Sequence, residues 1–394
     1  MPVVELDEVD PAVVERARAL GPRIRAAADQ IDAERRLPTE LSDALADGEL
    51  LRMYAPRACG GLEAHPLTAM RAIEELSRAD GATGWVAMIG TDLSLLLGWI
   101  SDETLHEMTA PGRGIRIAGS IPSDGTATPV DGGYRVSGRW DFVSGIDHSD
   151  WVFCGCRVLD RDGGPTDPAV VRGAFVPKSA GEVIDTWSVL GMHGTRSADF
   201  VLRDVFVPAN RMAWPTDRPG GTSPLYVAAA REPEDRYRFA LTWMWVAHAG
   251  NALGIGRGAI DLVQDLSARK ASTASSVLLR DRPAVQTRVA EAEAIVSAAR
   301  AYVIEGTRDA WLAATHCDAD PTAAITHARL AIAHAINESR RAVDLLFHAV
   351  GTNAIFTENR LERSFRDIHT AAHHGAGSPA QFTAAGKFLL GSTD

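Results

Sequence analysis

Three histidines near the C-terminal end are the side chains whose type and spacing most directly indicate chemistry. His369, His373 and His374 lie just after Arg366 and Asp367, in a segment otherwise rich in alanine and glycine. Imidazole titrates near neutral pH, so such a cluster favours proton transfer or metal binding. In a helix, His369 and His373 would share one face, and His374 would point about 140° away from His369.

Metal binding is the weaker of these two chemistries. Two histidines four residues apart also occur in H-E-x-x-H zinc helices, but Thr370 stands where such a helix has its general-base glutamate. A zinc site needs three or four protein ligands, and no third ligand is apparent. The sequence therefore predicts no metal at this cluster.

Composition limits the class of protein and of partner. The chain has 394 residues and is 46% hydrophobic and 23% charged, enough for two or three domains with a large core. A net charge of −11 argues against a nucleic-acid partner and against an anionic membrane surface. No apolar run approaches the roughly 18 residues that cross a bilayer. The acidic N-terminus does not resemble a signal peptide, so we expect a cytoplasmic protein with a small-molecule partner.

Hydrophobic periodicity predicts helices, then strands, then helices. Apolar residues recur at spacings of three and four from Val13 to Ile31, which indicates an amphipathic helix. From about Arg113 the period changes to two. Strands are predicted at Tyr134–Phe142, Trp151–Val158 and Phe200–Val207, separated by Asp-Gly and Gly-Gly turns.

Helical periodicity returns after a Gly- and Pro-rich linker at residues 215–224 and predicts a four-helix bundle. The four helices are expected at Ala240–Leu266, Pro283–Ala314, Pro321–Val350 and Glu358–Ala372. Within the first, Gly254, Gly256 and Gly258 resemble a dinucleotide-binding loop, but they follow no strand, so close helix packing is the better interpretation. The expected domains are an N-terminal helical domain at 1–112, a central β domain at 113–214 and the bundle at 215–394.

Several longer strings resemble the acyl-CoA dehydrogenase superfamily. They are Asp-Gly-Gly-Tyr-Arg-Val-Ser-Gly at 131–138, Trp-Ser-Val-Leu-Gly-Met-His-Gly-Thr-Arg-Ser at 187–197, Val-Phe-Val-Pro at 205–208 and the segment 359–367. The resemblance covers nearly the whole chain. It implies a mainly α fold with an N-terminal helical domain, a small central β-barrel or sandwich domain and a C-terminal four-helix bundle. It also implies flavin between the β domain and the bundle, often in a homotetramer.

Two chemistries of this superfamily need different groups. A dehydrogenase needs a carboxylate to remove the α-proton of an acyl thioester. At the two positions where the resemblance places that glutamate, the chain has Gly375 and Met244. Neither residue can act as a base, so dehydrogenation would require a base relocated elsewhere.

A finer resemblance is to the two-component flavin-dependent monooxygenases, such as those acting on seco-steroid phenols and p-hydroxyphenylacetate. It rests on the string from Trp140 to Trp151, on the turn from Gly191 to Ser197, and on Arg366-Asp367-x-His369 with a second histidine five residues on. It implies an oxygenase component that takes reduced flavin (FADH2 or FMNH2) from a separate NAD(P)H-dependent flavin reductase. Through O2 and a C4a-hydroperoxyflavin, such an enzyme hydroxylates an aromatic or heteroaromatic substrate of phenol or indole type.

The resemblance also implies roles for individual residues. His374 is the expected catalytic base or acid, and Ser144 is expected to hydrogen-bond the flavin N5. His369 is expected either to bind the substrate or to support a residue that does. The flavin-binding residues are Ser144, Phe142, Trp151, Gly194, Thr195, Arg196 and Ser197. The substrate residues are Trp85, Asp92, Trp243, Met244 and Trp245. Arg366 and Asp367 are expected to form a structural ion pair.

The sequence leaves three rival functions open. They are N-oxygenation of an amine, as in nitrososynthases of this fold, acyl-CoA dehydrogenation with a relocated base, and a catalytically idle flavin-fold binding protein. Related hydroxylases also carry a histidine on an N-terminal helix where this chain has Thr91, Asp92 and Leu93. The identity and orientation of the substrate therefore stay open.

Overall fold

The computed structural model describes residues 7–109, 114–217, 223–226, 232–271, 276–316 and 320–392. Part of the predicted linker, residues 218–222, lies outside the described residues. The N-terminal part consists of five helices: α1 (Pro11–Glu34), α2 (Thr39–Asp47), α3 (Pro66–Ala79), α4 (Gly81–Leu95) and α5 (Asp102–Met108). Local chemistry starts two of them, because Asp10 caps α1 by accepting from the Ala12 N–H and Asp80 caps α4 by accepting from the Thr83 N–H.

A seven-stranded sheet follows the helices. Its strands are β1 (Ile117–Val130), β2 (Gly133–Val143), β3 (Trp151–Leu159), β4 (Pro165–Pro177), β5 (Glu182–Ile184), β6 (Ala198–Pro208) and β7 (Met212–Ala213). The order across the sheet is β5-β6-β2-β1-β3-β4-β7, and every pair is antiparallel except β1 with β3. The three predicted strands are confirmed as β2, β3 and β6, and the other four, β1, β4, β5 and β7, were not predicted.

The C-terminal part is helical again. Its helices are α6 (Pro233–Ser267), α7 (Pro283–Thr315), α8 (Thr322–Ala349), α9 (Arg360–Ala371) and α10 (Pro379–Leu389). The four predicted bundle helices are confirmed as α6 to α9, and α10 is an addition. The predicted order of helices, sheet and helices is therefore confirmed. No helix in the described part of the chain is long and apolar enough to cross a membrane.

Glycines on α6 allow it to lie directly against α3. A Cβ atom on Gly250 would be 2.4 Å from the Met70 carbonyl oxygen, and one on Gly254 would be 2.4 Å from that of Glu74. Gly258 repeats the pattern one turn later, 2.6 Å from the Arg78 oxygen. Contacts this short exclude any side chain. The prediction that the glycine motif serves helix packing is confirmed.

Candidate active site

A cavity of about 1040 Å³ lies where α4, α6 and the end of α9 meet the sheet. Its wall is mostly apolar and aromatic, with a small number of polar side chains, which is typical of a site for an organic ligand. Ten of the residues selected from the sequence border it. They are Trp85, Asp92, Phe142, Ser144, Thr195, Ser197, Met244, Trp245, His369 and His374.

Four of the selected residues do not border this cavity. Trp151 donates its indole N–H to the Met108 carbonyl, and Trp243 is fully buried against Phe239. Gly194 packs against α1, because a Cβ atom there would be 2.2 Å from the Ile31 side chain. Arg196 is engaged with Asp185, at 2.8 Å. These four residues lie outside the cavity wall and contact other parts of the fold.

One end of the cavity, which we call the serine end, is formed by Ser144, Thr195 and Ser197. The Ser144 and Ser197 hydroxyls are 2.7 Å apart, and the Ser197 and Thr195 hydroxyls are also 2.7 Å apart. Thr195 donates to the Met192 carbonyl oxygen at 2.9 Å, and Trp85 donates its indole N–H to Ser144 at 3.1 Å. The hydroxyls therefore form one connected chain that holds each of them in place.

The backbone around this chain is locally unusual. Phe142, just before Ser144, has a φ of +54°, and Met192 and Arg196 have φ of +59° and +46°. Such left-handed conformations are uncommon for residues with side chains, and they concentrate at functional sites. As a result the Phe142 ring is 65% exposed at the cavity, edge-on to Trp187.

Helix α9 holds the turn at 191–197 in place. A Cβ atom on Gly191 would be 2.3 Å from the Arg366 backbone, and the Met192 N–H donates to the Asp367 carboxylate at 2.6 Å. Arg366 and Asp367 do not form the expected pair with each other. Arg366 instead donates to Glu362 and Asp32, at 2.6 and 3.1 Å. Asp367 is thus the link between the serine end and α9.

A second group of polar side chains, beyond Trp85, which we call the histidine end, is formed by Asp92, His248 and His374. The rings of His248 and His374 stack with centroids 4.1 Å apart, and Trp85 packs edge-on to both. The Asp92 carboxylate oxygen lies 3.3 Å from Nδ1 of His248. His248 was missed from the sequence, although it follows Met244 by one helical turn and so shares its face of α6.

Burial controls the protonation of this end. It lowers the pKa of His374 to about 4, and it lowers the pKa of His248 well below the ordinary value. Burial also raises the pKa of Asp92 well above the ordinary value. Two neutral partners are favoured over an ion pair because the surrounding wall solvates charge poorly. Burial therefore favours the uncharged form of all three groups.

Hydrogen bonds indicate which nitrogen of each ring carries its proton. Nδ1 of His374 accepts from the Ala376 N–H at 3.2 Å, so the neutral ring carries its proton on Nε2. Nδ1 of His248 lies 3.1 Å from the Met244 carbonyl, which can only accept, so that ring is protonated on Nδ1. The two stacked rings therefore have opposite tautomers.

The other two histidines of the cluster have partners of their own. His369 places Nε2 2.8 Å from the Asp344 carboxylate on α8. His373 is exposed and places Nδ1 2.8 Å from the His369 carbonyl. His374, the third, is the one that joins the aromatic contacts of the cavity.

The cavity fits a flavin. A flavin has a planar apolar ring system with nitrogen and oxygen atoms along one edge. The serine end offers hydroxyls for such an edge, and the exposed Phe142 ring and Trp187 offer an aromatic surface beside them. These residues would hold the cofactor.

Comparisons with known proteins show the family of the chain. The chain matches the acyl-CoA dehydrogenase N-terminal domain at residues 12–106 and the C-terminal domain at residues 246–379. It is 30% identical over 371 residues to indole-3-acetate monooxygenase of Pseudomonas putida, covering 94% of this chain and 92% of the relative.

A second relative is the flavin-dependent monooxygenase oxygenase subunit HsaA of Mycobacterium tuberculosis, 30% identical over 364 residues (91% of this chain, 90% of the relative). The crystal structure of HsaA superposes with a TM-score of 0.85 at 28% identity and covers 97% of both chains. XiaF from a Streptomyces species, solved with FADH2 and glycerol, superposes with a TM-score of 0.85 at 27% identity, over 96% of this chain and 95% of XiaF.

Proposed function

Because the chain belongs to the acyl-CoA dehydrogenase family and, within it, to the flavin-dependent monooxygenases, we propose that it hydroxylates an aromatic substrate of phenol or indole type in this cavity. The enzyme uses reduced flavin and O2. The observation that carries the proposal is the position of Trp85, which donates to Ser144 and packs against His374. The expected flavin contact and the expected proton-transfer residue therefore border one space.

Ser144 is the proposed contact to the flavin edge. When bound, reduced flavin supplies the oxygen chemistry by reacting with O2 and giving one oxygen atom to the substrate, the other leaving as water. Ser144 is 4% exposed and already accepts from Trp85, so its hydroxyl is held in one orientation. A fixed hydroxyl loses little freedom when it bonds a cofactor, which strengthens the contact.

His374 is the proposed group that acts on the substrate oxygen. Its Nδ1 is occupied by the Ala376 N–H, so Nε2 carries the proton and donates. In this conformation His374 stabilises a negative charge that develops on a phenol oxygen by donating to it. Of the two roles that the sequence allowed, base or acid, the geometry favours the donor.

The cavity wall favours hydroxylation over dehydrogenation. Gly375 and Met244 border the cavity and offer no carboxylate. Asp92 does border it, but burial raises the pKa of its carboxyl group well above the ordinary value, which favours the protonated form. A protonated acid cannot remove the α-proton of an acyl thioester.

Two partners belong to the proposal. HsaA, named an oxygenase subunit, supports a separate reductase that delivers the reduced flavin. A homotetramer is supported by apolar residues at the end of α10, where Leu389 and Leu390 are 72% and 87% exposed. Light scattering of the purified protein tests the assembly.

Rapid mixing of the protein and reduced FMN or FAD with O2, followed by a panel of phenols and indoles, tests the function. We expect a transient oxygenated-flavin absorbance and a hydroxylated product. Bleaching of oxidised flavin by an acyl-CoA without O2 would instead identify a dehydrogenase. Turnover of amines alone would identify an N-oxygenase, and failure to bind reduced flavin would indicate an idle binding protein.

A further inference from the structure

Asp92 and His248 each carry buried polar atoms without hydrogen-bond partners in the part of the chain that the structure describes. Asp92 is 3% exposed and His248 is 5% exposed, and both border the cavity. Neither carboxyl oxygen of Asp92 has a hydrogen-bond partner among the described residues, and neither does Nε2 of His248. Burying such groups unpaired costs free energy that a suitable partner recovers on binding.

The two residues present one donor and one acceptor. Burial favours the protonated form of Asp92, whose O–H can donate, and the Oδ2 atom lies 3.3 Å from Nδ1 of His248. His248 already uses its Nδ1–H toward the Met244 carbonyl, so its Nε2 has a free lone pair. They come from α4 and α6, two helices in direct contact, which holds this pair of groups together.

We propose that Asp92 and His248 recognise a hydroxyl group on the substrate ring, and that the enzyme therefore prefers phenols to indoles. This inference rests on the proposed function and deepens it. A hydroxyl can accept from the Asp92 acid and donate to His248, so both are satisfied together. An indole N–H only donates and a methyl ether only accepts, so each leaves one group unpaired.

The surroundings make this discrimination strong. The three unpaired atoms are shielded from solvent, so water does not compensate for a missing hydrogen bond as it would at a surface. Sites that bury polar groups for a substrate hydroxyl reject analogues without it far better than apolar pockets reject a missing methylene. His374, stacked on His248 and protonated on Nε2, adds a second donor beside the pair. The histidine end of the cavity therefore selects substrates that carry a hydroxyl group.

Binding of three size-matched ligands to the full chain without flavin tests the inference. The ligands are 2-naphthol, 2-methoxynaphthalene and 2-methylnaphthalene, titrated by tryptophan fluorescence because Trp85 and Trp245 border the cavity. We expect 2-naphthol to bind about tenfold more tightly than the other two, as one or two buried hydrogen bonds would give. Asp92→Leu and His248→Phe should each reduce the preference for 2-naphthol to a few-fold, because each removes one of the two hydrogen bonds, and the double variant should bring the three affinities within about twofold.

Two further variants control for shape and folding. Asp92→Asn keeps the size of the side chain and can both donate and accept, so it should retain the preference for 2-naphthol even if Asp92→Leu fails to fold. Leu241→Ala changes the wall of the same cavity without altering a polar group. It should therefore weaken the binding of all three ligands by the same factor.

The outcomes separate this inference from the proposed function. Tight binding of all three ligands with equal affinity, unchanged in the Asp92 and His248 variants, would overturn the recognition role and leave aromatic hydroxylation standing. Absence of binding by any ligand, together with no turnover of phenols or indoles, would overturn both.

Discussion

The two ends of the cavity handle their polar groups in opposite ways. At the serine end, Ser144, Ser197 and Thr195 are joined in one hydrogen-bonded chain. At the histidine end, Asp92 and the Nε2 of His248 have no hydrogen-bond partner among the described residues. A satisfied network holds a surface in one shape, whereas unpaired buried groups are completed by a ligand. The serine end is therefore suited to holding a ligand in one position, and the histidine end is suited to discriminating between ligands.

The difference follows from the elements that carry the two ends. The serine end lies on the loop after β2 and on the turn before β6, where short hydroxyl side chains reach each other and the free backbone groups of turns, such as the Met192 carbonyl. The histidine end lies mainly on α4 and α6, whose backbone groups are satisfied within the helices. Side chains there have fewer partners available.

Replacing His374 should have the largest effect at the histidine end. In His374→Ala we expect hydroxylated product per reduced flavin to fall about 100-fold, because a positioned proton donor contributes at least that much. Product and peroxide are measured in single-turnover reactions. His373→Ala, which removes an exposed neighbouring ring, is the matched control and should behave as the wild type. Unchanged product yield in His374→Ala would remove this residue from the mechanism.

The pH dependence of stability tests how much Asp367, which links the serine end to α9, contributes to the free energy of unfolding. Burial and the nearby Asp80 raise the pKa of Asp367 from the ordinary value of 3.8 to about 7. The folded state therefore holds this proton more tightly than the unfolded chain, so its stabilising contribution is complete below about pH 4 and is lost as the pH rises through 7.

Asp367→Asn cannot ionise and still accepts from the Met192 N–H. Its free energy of unfolding should exceed that of the wild type at pH 8, by on the order of 2 kcal/mol, and match it near pH 4. Denaturant unfolding across that range measures the difference. Parallel pH curves for the two proteins would show that Asp367 is ionised in the fold.

Ser144→Ala should change the share of reduced flavin that yields hydroxylated product more than it changes the free energy of unfolding. Loss of one hydrogen bond to the cofactor is worth about 1 kcal/mol, so we expect the ratio of released peroxide to hydroxylated product to rise about fivefold. Ser149→Ala, which removes a buried hydroxyl that donates to the Ile146 carbonyl, controls for a general loss of packing. An equal rise in both variants would assign Ser144 a packing role alone.

Trp85→Phe is expected to have the smallest effect, because the ring edge contacts to His248 and His374 can persist. It removes the indole N–H that orients Ser144 and makes the ring smaller, so peroxide release should rise about twofold. The double variant of Trp85→Phe and Ser144→Ala tests whether the indole N–H acts through Ser144. If the N–H acts through Ser144, the double variant should release no more peroxide than Ser144→Ala, whereas additive effects would separate the two residues.

The parts of the fold that were predicted have regular patterns. Helices α6 to α9 show uninterrupted helical periodicity, and β2, β3 and β6 alternate or run apolar. Strand β1 was missed because its register shifts between Ser120 and Gly125, which interrupts the alternation. Strand β4 contains Pro165 and Pro168, residues that argue against a strand. Helix α10 is short and follows the Gly-rich turn at 375–377, so it was not predicted.

Site residues were found where a motif or a neighbouring position indicated them. Ser144 and His374 were selected from strings that resemble a family, and both border the cavity. His248 had no such string, and its relation to His374 depends on how α6 packs beside α9. Trp243 was selected with its neighbours Met244 and Trp245, but the helix turns its ring into the core.

The amino-acid sequence by itself determined the order of helices and strands, the family resemblance, and the absence of a carboxylate at positions 244 and 375. These depend on periodicity and residue type, which are local properties of the chain. Only the tertiary structure decided that Asp92, His248 and His374 meet, that burial favours their uncharged forms, and which ring nitrogen carries each proton. Desolvation and hydrogen bonding arise between residues far apart in sequence, so no local pattern encodes them.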